Sequence, residues 1–142
     1  MSTSAAYHEA GHAVVAISRG IPVLRCTIVP TRNTGGHVLP NVPTGSIDMH
    51  DLLVMWLAGG AAERRLTGKS ATLNANDLAY AYLIASVMVR AEPGTKATAD
   101  HLARYELLAD VDVASHWNWI GRVAKRLLVK RTLCGGDVAD LM

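Results

Sequence analysis

The sequence has little that would place the protein in a membrane, outside the cell or in a disulfide-stapled fold. Its longest apolar run, Leu52 to Ala58, is far too short to cross a bilayer. Its first residues lack the basic and apolar regions of a secretory signal. The only two cysteines, Cys26 and Cys134, cannot form a disulfide framework. We therefore expect a cytoplasmic protein with reduced thiols and no membrane span.

The sequence also has no large excess of positive or negative charge. The formal net charge is +2, which is too small to indicate an anionic partner. A basic stretch, Arg122 to Arg131, has no aromatic residues interleaved with it on which bases could stack. We expect this stretch to be a solvated helix face, and we predict no nucleic-acid partner.

Apolar sequence, in contrast, is abundant: 50% of the 142 residues are hydrophobic. No internal repeat or low-complexity tract interrupts it, and the length suits a single domain, 1–142. Helical spacing and helix-end signals predict a first helix ending at Gly20, a second from about Ile47 to Thr67, and further helices up to Gly135-Gly136. The fold class is therefore predicted to be mainly α.

A small β-element separates the first two predicted helices. Val23 to Pro30 is rich in β-branched residues, which favours a strand. The turn residues Asn33 to Gly36 follow, and His37 to Leu39 then predicts a short returning strand. We therefore expect an α+β domain with one β-hairpin.

The most informative stretch is residues 8–12, an H-E-x-x-H motif within the predicted first helix. Residues four apart on a helix share one face, so His8 and His12 can present two imidazole nitrogens to one point. Zinc accepts imidazole nitrogen in a roughly tetrahedral shell, and Glu9 can then polarise a water molecule beside it. The motif therefore predicts a zinc-dependent peptidase. The alternative, two partly buried histidines without a metal, is weakened by the apolar residues 13–17, because polar groups in a buried helix need partners.

A catalytic zinc site needs a third protein ligand. The extended form of the motif would require Gly at position 15 and His at position 18, where this chain has Val15 and Ser18. The third ligand must therefore come from further along the chain. Spacing alone leaves four candidates open: His37, His50, Glu63 and Asp77.

Three weaker predictions concern the surroundings of the motif. Glu63, in an apolar helix, could orient a ligand histidine through its second ring nitrogen, or it could pair with a basic neighbour on the surface. The strand formed by His37, Val38 and Leu39 could be an edge to which an extended peptide adds, or His37 could simply be exposed. Gly59-Gly60 is costly inside a helix and predicts close approach to a neighbouring helix.

Five stretches occur in an order that resembles a known family: AYHEAGHAVV (6–15), CTIVP (26–30), LAGGAAE (57–63), ANDL (75–78) and residues 124–135. They resemble the peptidase domain of the FtsH-type, ATP-dependent zinc metalloproteases. The resemblance implies a zincin-like helical domain that binds Zn²⁺ through His8, His12 and Asp77, with Glu9 as the catalytic base. Without the resemblance, Asp77 is equally well explained as a carboxylate at a helix start.

The chain also departs from that family. Its members carry an ATPase module ahead of the peptidase, usually after membrane spans, and neither is present in this sequence. The family also has arginine where this chain has Gly60. We predict a zinc metalloendopeptidase that hydrolyses extended or unfolded polypeptides, and we leave a separate ATPase partner and a homo-oligomer open. The alternatives are a zinc-binding interaction module that docks on an ATPase or regulatory partner with little activity of its own, and a metal-free helical adaptor.

Overall fold

The computed structural model describes residues 2–31, 35–41, 48–69 and 75–142. Its helices are α1 (Thr3–Ser18), α2 (Met49–Thr67), α3 (Ala75–Val89), α4 (Lys96–Ser115), α5 (Trp117–Lys130) and α6 (Gly135–Asp140). Its strands are β1 (Val23–Thr27), β2 (His37–Pro40) and β3 (Thr132–Cys134). These elements confirm a mainly α fold with a small β-element. In the ranges described, no helix combines the length and the apolar character that crossing a membrane requires.

Helix α1 lies at the centre of the molecule. Every residue from His8 to Ala16 is buried, because α1 packs against α2, α5 and the sheet. Gly11 allows α2 to approach closely: a Cβ at this position would lie 2.8 Å from both the carbonyl oxygen of Ala58 and the Cβ of Ala62. Small residues on both helices therefore bring the backbone of α2 next to the H-E-x-x-H segment.

The three strands form an antiparallel sheet in the order β2-β1-β3. Cys26 lies opposite Val38 on one side and Leu133 on the other, and all three side chains are buried. The Cys26 thiol donates to the backbone oxygen of Glu9 at 3.6 Å, so the buried face of the sheet lies against α1. This packing places the edge strand β2 beside the motif.

The third strand was not predicted, and the first strand is shorter than predicted, ending at Thr27 instead of Pro30. Arg131 adopts a left-handed conformation (φ 68°) at the end of α5 and returns the chain along β1. Gly135 then lies so close to the carbonyl oxygen of Val23 that a Cβ would overlap it. The Gly135-Gly136 pair therefore begins a further helix where the chain passes β1, instead of only ending the preceding one.

The ends of α2 agree with the prediction only in part. The helix begins at Met49, after Asp48, whose side chain accepts a hydrogen bond from the backbone N–H of His50 at 2.7 Å. The predicted start, Ile47, lies outside the described residues. The predicted end at Thr67 is confirmed, because Gly68 adopts φ 71° and terminates the helix in a left-handed cap.

Candidate metal centre

Three side-chain atoms from two helices meet at one point. Oδ2 of Asp77 lies 2.8 Å from Nε2 of His8 and 2.8 Å from Nε2 of His12, and the two nitrogens lie 3.1 Å apart. Ligand atoms at about 2.0–2.1 Å from a tetrahedral zinc ion are separated by roughly 3.3–3.4 Å. The observed separations are somewhat shorter than this, and the three atoms lie close enough together to share one small divalent ion. The described ranges contain no second group of three such side chains.

The sequence of α1 fixes the two nitrogens, and the first turn of α3 supplies the oxygen. His8 and His12 are one helical turn apart, and their rings meet edge to face with centroids 4.7 Å apart. Both histidines and Asp77 are buried. Spacing left four candidates for the third ligand, and Asp77 is the one that the structure brings to Nε2 of both His8 and His12. His50 instead hydrogen-bonds to the hydroxyl of Tyr105.

An oxygen atom lies close to the outer nitrogen of each ring. Nδ1 of His12 lies 2.7 Å from the carbonyl oxygen of Met55, which can only accept, so the proton of the neutral ring is on Nδ1. Oε1 of Glu63 lies 2.5 Å from Nδ1 of His8, and the Ser4 hydroxyl donates to Oε2 of Glu63 at 3.3 Å. Protons on the outer nitrogens leave the lone pairs of both Nε2 atoms directed to the centre, as metal ligation requires. Glu63 therefore lies where the sequence prediction of an orienting role would put it.

Gly59 of α2 forms the wall behind the two nitrogens. A Cβ added at this position would come closer than 3.0 Å to Nε2 of both His8 and His12. The predicted close approach of this glycine to a neighbouring helix is thus confirmed, and the contact is with the motif helix itself. An alanine here would occupy the space in which the two nitrogens lie.

The charged groups of the centre shift one another's pKa. Burial lowers the pKa of His8, but the hydrogen bonds to Asp77 and Glu63 outweigh burial and raise it to about 10. Burial raises the pKa of Asp77, but the nearby charge of His12 and the hydrogen bonds to both histidines hold it well below its usual range. The centre thus favours a carboxylate beside positive charge. A divalent cation can supply that positive charge in place of a proton.

Glu9 lies beside this centre without joining it. Its side chain is buried, and Oε2 has no hydrogen-bond partner among the described residues. Burial raises the pKa of Glu9. Gly36, directly before β2, leaves room for the side chain of Glu9, since a Cβ at this position would lie 3.0 Å from Cγ of Glu9. An unpartnered buried carboxylate of this kind is available to a reacting water molecule or substrate.

A cleft of about 750 Å³ opens beside the centre, and Glu9, His12 and Asp77 line it. One wall is apolar, and its lining residues are Leu52, Trp56, Tyr80 and Ile84. The rings of Trp56 and Tyr80 stack with centroids 4.7 Å apart, and Trp56 also contacts His12 edge to face at 5.8 Å. The apolar wall is thus in contact with the ring of one histidine of the centre.

A second part of the lining comes from the sheet and includes Arg25 and the residues singled out from the sequence, His37, Val38 and Leu39. Val38 is buried, whereas Leu39 is 42% exposed. Sequence reasoning did not find Trp56, Tyr80 or Arg25. One signal was available, because Tyr80 lies three residues after Asp77 and therefore on the same side of α3.

Comparison with known proteins decides the family. A model of peptidase family M41 matches residues 2–96, a range that contains His8, Glu9, His12 and Asp77. The chain belongs to peptidase family M41. The M41 match covers α1 to α3 and stops where α4 begins.

The relatives of this M41 chain include metalloproteases from several organisms. It is 43% identical over 96 residues to the ATP-dependent zinc metalloprotease FtsH of Mesomycoplasma conjunctivae, which covers 61% of this chain and 13% of that relative. It is 30% identical over 171 residues to the ATP-dependent zinc metalloprotease FtsH 2 of Sphaerobacter thermophilus. That match covers 96% of this chain and 26% of the relative. It is also 39% identical over 80 residues to the mitochondrial ATP-dependent zinc metalloprotease FTSH 3 of Arabidopsis thaliana. That match covers 51% of this chain and 10% of the relative. The chain thus spans about a quarter or less of the length of these relatives.

Proposed function

We propose that this chain is a zinc metalloendopeptidase that hydrolyses peptide bonds in extended or unfolded polypeptides. The observation that carries the proposal is the meeting of Nε2 of His8, Nε2 of His12 and Oδ2 of Asp77 within 3.1 Å of one another, beside a buried and unpartnered Glu9. Family membership and the names of the relatives support zinc as the metal.

The residues of the centre fit a zinc ion by two independent features. Two imidazole nitrogens and one carboxylate oxygen are a ligand set typical of catalytic zinc, which keeps one position for water or substrate. Gly59 also provides a concavity that any other residue would fill. His8, His12 and Asp77 would hold the ion, while Glu63 and the Met55 carbonyl orient the two rings. When bound, zinc supplies Lewis acidity, which lowers the pKa of water and polarises a carbonyl group.

Glu9 performs the proton transfers in this proposal. Its free carboxylate oxygen accepts a proton from the attacking water molecule and then delivers that proton to the leaving amine. Burial raises the pKa of Glu9, which makes its carboxylate a stronger base towards the proton of the water molecule. The peptide itself lies along β2, with its main chain paired to residues His37, Val38 and Leu39.

The cleft suits an extended chain better than a folded protein. A strand added to β2 must offer its own backbone N–H and C=O groups, which folded proteins pair internally. The stacked Trp56 and Tyr80 also provide an apolar surface for side chains that folded proteins bury. We therefore propose unfolded or extended segments as the substrate class, with a separate ATPase as the agent that would unfold a stable protein.

Replacing Glu9 by Gln tests the proposal, because the amide keeps the size of the side chain but cannot accept the proton. We expect the Glu9→Gln variant to retain zinc by elemental analysis and to lose cleavage of casein. The matched control is Glu92→Gln, an exposed glutamate outside the cleft, which should cleave at the parent rate. Cleavage by Glu9→Gln at the parent rate would show that the assigned role is wrong.

The competing proposal is a zinc-binding module that docks on an ATPase or regulatory partner and hydrolyses little itself. The same purified chain separates the two, since a peptidase cleaves an unfolded substrate and a chelator stops it. Bound zinc without chelator-sensitive cleavage would favour the docking module. A chain that binds no zinc would favour the metal-free adaptor.

A further inference from the structure

Arg25, the arginine in the cleft, differs from two arginines elsewhere in the fold that form ion pairs. Arg19 pairs with Asp51 and Asp112, and Arg64 pairs with Asp110. Arg25, on β1, lines the cleft instead, and no carboxylate within the described ranges lies at ion-pair distance from it. Its positive charge is therefore not neutralised by a neighbouring side chain in that part of the structure.

Arg25 is nevertheless held in position. Its Nη2 lies 3.2 Å from Nε2 of His37. A guanidinium group can only donate, so Nε2 of His37 accepts and the ring is neutral with its proton on Nδ1. A neutral acceptor orients the guanidinium without cancelling its charge. The wall formed by the sheet therefore presents a fixed cation to whatever occupies the cleft.

The register of the sheet sets which side chains of a bound peptide would meet this cation. Arg25 lies opposite Leu39, and Thr27 lies opposite His37, so Arg25, Leu39 and His37 share one face of the sheet. Cys26 and Val38 occupy the other, buried face. Within the described residues, β2 has β1 on one side and no strand on the other. Every second side chain of a peptide added to that edge would lie on the face of Arg25 and His37.

Resting on the function proposed above, we propose that Arg25, held by His37, is a specificity-determining residue that selects substrates with an acidic side chain on this face. β2 lies between β1 and the added peptide, but Nη2 of Arg25 reaches the ring of His37 on β2, the strand next to the peptide. An acidic substrate side chain beside His37 is therefore attracted, and a lysine or arginine at the same position is repelled. The neighbouring substrate residues point to the other face. The expected signature is thus a charge preference at one substrate position and indifference at the positions directly before and after it.

Peptide binding to the zinc-loaded Glu9→Gln variant tests this inference without relying on turnover. The probes are short fluorescent peptides of one neutral, extended sequence in which a single Glu, Gln or Lys is moved along the chain. At one position we expect the Glu peptide to bind about fivefold more tightly than the Lys peptide, which is the upper range for an exposed charge pair. The preference should shrink as salt is added, because exposed charges are screened.

Charge variants of Arg25 assign the preference. In the Glu9→Gln background, Arg25→Gln should abolish it and Arg25→Glu should reverse it in favour of the Lys peptide. Arg104→Glu, which reverses an exposed arginine on α4, should leave it unchanged and is the matched control. In the enzyme with Glu9 intact, Arg25→Gln and Arg25→Glu should change the KM for the charged peptides and leave kcat unaltered.

Equal affinity for the Glu and Lys peptides at every position would overturn the inference, and so would a preference that persists in Arg25→Gln. In either case, peptides that still bind and are cleaved would leave the proposed peptidase function standing. If none of the peptides binds or is cleaved, whatever its charge, the proposed function fails and this inference fails with it.

Discussion

Two pairs of histidines stand out among the described residues, and one of them meets a carboxylate with which it could hold a metal ion. His8 and His12 are buried on one helix and share Oδ2 of Asp77. His50 and His101 lie on α2 and α4 and flank Tyr105: His50 hydrogen-bonds to its hydroxyl, and the His101 ring lies 4.7 Å from its ring. The two pairs therefore differ in their third group, which is a shared carboxylate in one and a tyrosine side chain in the other.

The contacts behind the rings explain the difference. In the first pair, Glu63 and the Met55 carbonyl contact the outer nitrogens and leave both Nε2 atoms for a metal. In the second pair, the Tyr105 hydroxyl uses Nδ1 of His50, and no carboxylate joins the two rings among the residues that the structure describes. A shared carboxylate and oriented rings distinguish the site, which variants of either pair can test.

Removing one ligand should have the largest effect. We expect His12→Ala to reduce bound zinc from about one per chain to near none, since two protein ligands do not complete a catalytic site. His101→Ala, the matched change in the other pair, should leave zinc content unchanged. Elemental analysis of both purified proteins measures the difference, and equal zinc in the two variants would refute the assignment of the centre.

Filling the space behind the nitrogens should come next. Gly59→Ala places a Cβ against Nε2 of both ligand histidines, so we expect weaker zinc binding and a loss of about 1–3 kcal/mol in the free energy of unfolding. Gly121→Ala is the control, because its Cβ would meet only the Tyr7 hydroxyl, at an ordinary 3.4 Å. Urea unfolding of the apoproteins should place Gly121→Ala within about 1 kcal/mol of the parent. A tolerated Gly59→Ala would mean that the rings lie elsewhere.

Changing the group that orients His8 should have an intermediate effect. Glu63→Gln keeps the shape of the side chain but removes the charge beside Nδ1 of His8. We expect zinc affinity to fall by about 10- to 100-fold, the usual effect of losing such a contact. Competition with a fluorescent chelator measures it. The Glu92→Gln control should bind zinc as the parent does, and an unaffected Glu63→Gln would reduce Glu63 to a surface ion-pair partner.

The smallest effect is expected in the second pair. Tyr105→Phe removes the hydroxyl that contacts His50, which should cost about 0.5–1.5 kcal/mol of stability. Zinc affinity should not change, because this cluster is separate from the metal centre. Thermal unfolding and a zinc titration of the same sample provide both measurements. Weaker zinc binding in Tyr105→Phe would show that the two histidine pairs are coupled.

The sequence predicted the local parts of the centre well, because helix geometry alone brings His8 and His12 to one face. The sequence did not identify the third group of the centre by spacing, which left four candidates open. Asp77 lies 65 positions after His12, and only the resemblance favoured it. Part of the cleft lining was missed for the same reason. Trp56, Tyr80 and Arg25 come from three elements whose proximity depends on tertiary packing.

The fold shows the same division. The two predicted strands and the end of α2 follow from turn and cap chemistry close in sequence. β3 was missed because it depends on a single residue, Arg131, that adopts a left-handed conformation which its side chain does not favour. A single domain, a cytoplasmic location and a homo-oligomer stay predictions.

Gly59 has a consequence for how such a centre can change. The main chain of α2 at Gly59 lies directly against Nε2 of His8 and Nε2 of His12, with no side chain between them. Gly11 of α1 allows α2 to approach this closely. The space behind both nitrogens is therefore limited by how closely α2 approaches α1. A substitution that changes the spacing of these two helices would act on both candidate ligand histidines at once.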